Sequence, residues 1–80
     1  MANKYELILD TRQEAAAKEA AAKILAALDH AIITEEKAKN RYHVHFESIQ
    51  PLNELTFAFE SCAKQTARQA GFSITLQMKH

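Results

Sequence analysis

Apolar and polar side chains alternate singly in three stretches of the chain and recur at three- and four-residue steps in two others. Tyr5, Leu7 and Leu9 alternate with Lys4, Glu6, Ile8 and Asp10, the period of two expected of a strand with one buried face. Tyr42, Val44 and Phe46 alternate with Arg41, His43, His45 and Glu47, and Phe72, Ile74, Leu76 and Met78 with Ser73, Thr75, Gln77 and Lys79. These predict a second and a third strand. From Arg12 to about Ile33, Ala17, Ala20, Ala21, Ile24, Leu25, Ala27, Leu28, Ala31 and Ile32 recur at helical spacing. Thr11 and Glu14 supply a T-x-x-E capping box at the start of that helix. Its early half carries only alanine, so packing is expected from its later half, with the first turns projecting past the core. The polar run Thr34 to Asn40 predicts a connector. Pro51 suits the first turn of a second helix and Gly71 the position past its end; Leu52, Leu55, Phe59, Cys62, Ala63, Thr66 and Ala70 share one face between them.

The resulting order is βαβαβ, an α+β two-layer sandwich with three strands and two helices on one face of the sheet. Right-handed crossovers allow a parallel order 1-2-3 with the opposite face bare. Taking Leu55, Phe57 and Phe59 as strand residues gives the alternative, a βαββαβ ferredoxin-like order with a shorter second helix. In the parallel order the outer strands leave backbone groups unpaired, an invitation to strand addition.

Glu14 to Lys23 reads EAAAKEAAAK, with Glu14–Lys18 and Glu19–Lys23 in the favourable i,i+4 order. This ten-residue segment resembles the engineered (EAAAK)n helical spacer. The resemblance implies a stiff or redesigned helix, an engineered scaffold at the limit, and carries no activity of its own.

Eighty residues leave room for one domain, residues 1–80. Ten basic and ten acidic residues give a formal net charge of zero, so no long-range field draws the chain toward nucleic acid or an anionic membrane. Tyr5, Tyr42, Phe46 and Phe72 fall on the side of the sheet expected to be covered, which also counts against base stacking. No apolar run approaches the ~20 residues of a membrane span, and none marks a signal peptide at the start. A single cysteine, Cys62, excludes an internal disulfide and suggests a cytoplasmic setting.

His43 and His45 stand two apart on one strand, so both imidazoles project from the polar face, between Arg41 and Glu47. Two imidazoles at that spacing can share a metal if Glu6 or Asp10, or less directly His30 or His80, completes the set; no spacing here matches a zinc pattern, and a solvated sheet face is the plainer account. Phe57 is the one large apolar residue off the core stripe of the second helix, where an exposed aromatic can anchor an interface. Cys62 lies on the stripe and reads as an inert buried thiol. One glycine precludes a phosphate-binding loop, and no nucleophile stands beside a base. The sequence therefore predicts a non-enzymatic protein-interaction module without cofactor, binding another protein or a second copy through the open sheet face (Arg41, His43, His45, Glu47), an edge strand or Phe57. By its size class the expected role is a regulator or inhibitor, of the kind phages encode; a metal-binding or His-dependent site at His43 and His45 is the alternative.

Overall fold

The computed structural model describes residues 2–79. Six elements follow one another: β1 (Asn3–Leu9), α1 (Glu14–Ala27), β2 (Ala31–Lys37), β3 (Tyr42–Ser48), α2 (Leu52–Ala70) and β4 (Ile74–Lys79). The strands form one sheet in the order β2-β3-β1-β4, with every neighbouring pair antiparallel. The three-stranded parallel arrangement is thereby corrected. The βαββαβ order is the one present, although its additional strand comes from Ala31–Lys37 and not from Leu55–Phe59, which is helical.

The predicted alternation orients the two inner strands, β1 and β3. Tyr5, Leu7, Leu9, Tyr42, Val44 and Phe46 are all buried, and with Ala17, Ile24, Leu25 and Leu55 they make one core between sheet and helices. Tyr5 and Phe46, opposite one another in the β1–β3 register, stack with ring centroids 5.7 Å apart. Removing each such side chain from water contributes on the order of 1.5–3 kcal/mol.

Helix α1 departs from expectation at both ends. Thr11 Oγ1 accepts the Gln13 N–H at 3.1 Å, and Gln13 is the N-cap without a side-chain cap bond, so no capping box forms. Glu14 instead reaches Lys18 at 3.3 Å and Lys37 at 3.5 Å. The helix stops at Ala27, with Leu28 extended beyond it. Its early alanines are not left projecting: Ala17, Ala20 and Ala21 are buried, because small side chains let the helix close down on the sheet.

Residues 31–37, expected as helix end and connector, are strand β2. All seven are exposed, so no buried face imprints alternation on them; the backbone ladder to β3 holds them in place. Between Ala31 and Thr34 the register shifts: Ala31 faces Glu47 and Thr34 faces His45, three steps against two. The bulge places Ile32 at φ 49°, a left-handed conformation costly for a β-branched residue.

Helix α2 begins after Pro51 and ends at Gly71, whose φ of 83° lets its N–H bond Ala67 O at 2.8 Å. That left-handed turn is the helix ending for which glycine is suited.

Candidate functional site

Alternation sends Glu6, Ile8, His43, His45, Glu47, Thr75, Gln77 and Lys79 to the sheet face away from the core, where β2 adds Thr34 and Glu36 by register. Glu6 lies at the centre and is only 7% exposed, walled in by its cross-strand neighbours His45 and Gln77. Gln77 Nε2 donates to Glu6 Oε1 at 2.7 Å. Glu6 Oε2 lies 3.2 Å from His43 Nδ1 and 3.3 Å from His45 Nδ1. The first contact has hydrogen-bond geometry; the second does not, and His45 Nδ1 is buried without a hydrogen-bond partner. The two imidazoles lie nearly parallel at 6.3 Å, and His45 Nε2 is 3.4 Å from Glu36 Oε2.

The expected pairing of His43 with His45 on one face is present, and Glu6 joins them. Other candidate ligands go elsewhere. Asp10 holds Arg41 at 2.9 Å, which takes Arg41 out of the histidine cluster, and His30 Nδ1 lies 2.9 Å from Leu28 O; His80 lies outside the described residues. Among the described residues no group of three or more histidine, cysteine, aspartate or glutamate side chains is arranged to hold a metal ion. Glu47 sits opposite Lys4 at the rim of an open cleft of about 400 Å³ that Ile32, Thr34, His45 and Lys79 also line.

Phe57 is on α2 and 76% exposed, on the side of the helix opposite Leu55 and Phe59, with Asn53, Ser61 and Lys64 as its helical neighbours. The hydroxyl one turn on is committed, Ser61 Oγ donating to Phe57 O at 2.8 Å; on the opposite side of α2, Thr66 Oγ1 donates to Cys62 O at 3.0 Å. Burial raises the pKa of the Cys62 thiol above its ordinary value, which disfavours the nucleophilic thiolate.

The two outer strands differ in kind. β2 carries the bulge, the left-handed Ile32 and the charges Glu35, Glu36 and Lys37, all devices that discourage a further strand. β4 has no bulge against β1, no proline, and a single charge at its end. Asp10 N–H bonds Ser73 O at 3.0 Å, so the backbone groups of Ser73, Thr75, Gln77 and Lys79 face β1 and those of Ile74, Leu76 and Met78 face outward. The same three residues are half-buried, and a groove of about 260 Å³ between α2 and the start of β4 adjoins Ile74, lined also by Phe59, Glu60, Ala63, Lys64 and Ala67. The sequence pattern predicts free edges, but because β2 carries no alternation it does not distinguish a guarded edge from a bare one.

No family model and no curated protein matches the chain. Among solved structures its fold is similar to part of a chain described as "a putative amidohydrolase/peptidase from Burkholderia cenocepacia", with TM-score 0.55 and 17% identity over 99% of this chain and 27% of that one. At that identity the likeness concerns the fold alone, and this chain spans about a quarter of the other's length. No helix among the described residues is long and apolar enough to cross a membrane.

Proposed function

We propose that the chain is a small non-enzymatic protein-interaction module, a regulator or inhibitor in type, whose working surface is the outer edge of β4. The βαββαβ order with strands β2-β3-β1-β4 supports placing it in the ferredoxin-like class. The observation that carries the functional reading is the asymmetry of the two edges. β2 is bulged and charged, whereas β4 presents the outward N–H and C=O groups of Ile74, Leu76 and Met78 beside a partly apolar groove. An extended segment added there gains main-chain hydrogen bonds from the edge and side-chain contacts from the groove. The open face with His43, His45 and Glu47 then serves as a polar exterior.

The test is a synthetic peptide copying Phe72–Lys79, added to dilute isotope-labelled protein and followed by amide chemical shifts. Changes concentrated on Ile74, Leu76, Met78 and the facing residues of α2 support the proposal. Changes confined to β2 or to the His43–His45 face, or none at millimolar peptide, overturn it.

A further inference from the structure

The inference rests on the edge reading and names the partner. We infer that the strand accepted by β4 is β4 of a second copy, paired antiparallel about a two-fold axis through Leu76, with α2 of each copy meeting its counterpart above the seam. In an antiparallel pair, residues directly opposite share a face. A two-fold axis on Leu76 therefore sets Leu76 against itself, Ile74 against Met78 and Thr75 against Gln77. Apolar side chains meet on the helix side and neutral polar ones on the other. The outward backbone groups of Ile74, Leu76 and Met78 face their own kind, as ladder pairing needs. Lys79 falls opposite Ser73, so no like charges oppose one another across the seam.

The same axis suits the helices. α2 runs back along β4 from the turn at Gly71; seven helical residues cover about 10 Å, as do three strand residues, so Leu76 lies beneath the part of α2 near Ala63. The outward flank of α2 there carries Ala67, small enough for close approach, beside the exposed Glu60 and Lys64, while Ala63 is turned into the core. Antiparallel contact centred between residues 60 and 64 brings Glu60 of each copy to Lys64 of the other, two ion pairs from one symmetric contact. β2 has no equivalent: centring it on Glu35 or on Glu36 sets that carboxylate against itself, and Ile32 interrupts the ladder.

Sedimentation velocity on the whole chain tests this, with charge reversals at two exposed positions and circular dichroism to confirm that each variant is folded. The wild type is expected to dimerise. Glu60→Lys and Lys64→Glu each turn two attractions into two repulsions and should weaken the dimer by about tenfold or more, while the double reversal restores it. A wild type that stays monomeric at millimolar concentration, a dimer indifferent to the single reversals, or a double reversal that fails to restore association overturns the inference. If the β4 peptide binds its edge while the protein remains monomeric, self-pairing fails and the edge reading stands. If the protein dimerises while the peptide shifts only β2, the edge reading fails.

Discussion

Replacing Ile32 by asparagine should stabilise the protein, although isoleucine is the better strand former. Ile32 is the one non-glycine residue with positive φ among the described residues, at 49°, and its side chain is 72% exposed. Holding an L-residue left-handed costs roughly 1–2 kcal/mol, with β-branched residues among the worst placed. Asparagine adopts that region readily, and little burial is lost. Strand propensity opposes the change, on a scale spanning ~1 kcal/mol in all, so the expected net gain is about 0.5–1 kcal/mol. For a domain of this length that is a rise in Tm of about 3–6 °C. Ile32→Gly should gain less, because the added freedom of the unfolded chain offsets ~0.4–1 kcal/mol. Ile33→Asn is the control: that residue has ordinary backbone and is 47% exposed, so the same substitution should lower Tm. Opposite signs at adjacent isoleucines, read by thermal unfolding, mark the bulge. Equal losses at both would mean that β2 runs unbroken against β3 and that Ile32 is not left-handed.

The remaining predictions concern the polar contacts. Glu6→Ala removes the acceptor shared by Gln77 and His43 and should cost ~1–3 kcal/mol in urea unfolding; a loss under about 0.5 kcal/mol, typical of an open surface site, would show that Glu6 is not enclosed. Burial first, then the hydrogen bond and charge of Glu35, push the Tyr42 hydroxyl from an ordinary 10.0 up to about 12. Because the folded state favours the neutral phenol, this contribution to stability is complete below pH 10.0 and is lost as the pH rises through about 12. In an alkaline titration followed by phenolate absorbance, Glu35→Gln should bring the Tyr42 midpoint down while burial keeps it above its ordinary value; an unmoved midpoint contradicts the 2.7 Å bond between them.

Where a sheet face is covered, its pattern was legible. Tyr42, Val44 and Phe46 alternate because α1 and its neighbours exclude water from one side of β3 only, and the same reasoning located β1, β4 and α2. Residues 31–37 show no such pattern for the converse reason: α1 meets β2 only across an open cleft and through the Glu14–Lys37 ion pair, so Ile33 and Glu35, which face the helix side, stay exposed and impose no period. With Ile32 and Ile33 continuing the helical spacing of Ile24, Leu25 and Leu28, helix was the simpler extrapolation. The bulge was equally hidden, since glycine and asparagine signal a left-handed turn and isoleucine does not. The cluster around Glu6 was half visible. Two histidines on one face follow from spacing alone, but the carboxyl between them depends on the β1–β3 register, which no local pattern encodes.

That blind spot bears on the proposed interface. A strand shielded by charges and a bulge loses the alternation that reveals strands, so the edge most protected from pairing is also the hardest to read. β4 is the reverse case. Its alternation is clean because Ile74, Leu76 and Met78 lean toward the core, yet α2 covers them only in part. Regular, half-covered and almost free of charge, it keeps the features that make an edge strand adhesive. Protection of one edge without the other leaves a single direction in which the sheet can be extended. With one direction available and the same strand on every copy, extension by a second molecule closes after a single step into a pair, whereas two open edges would propagate into a fibre.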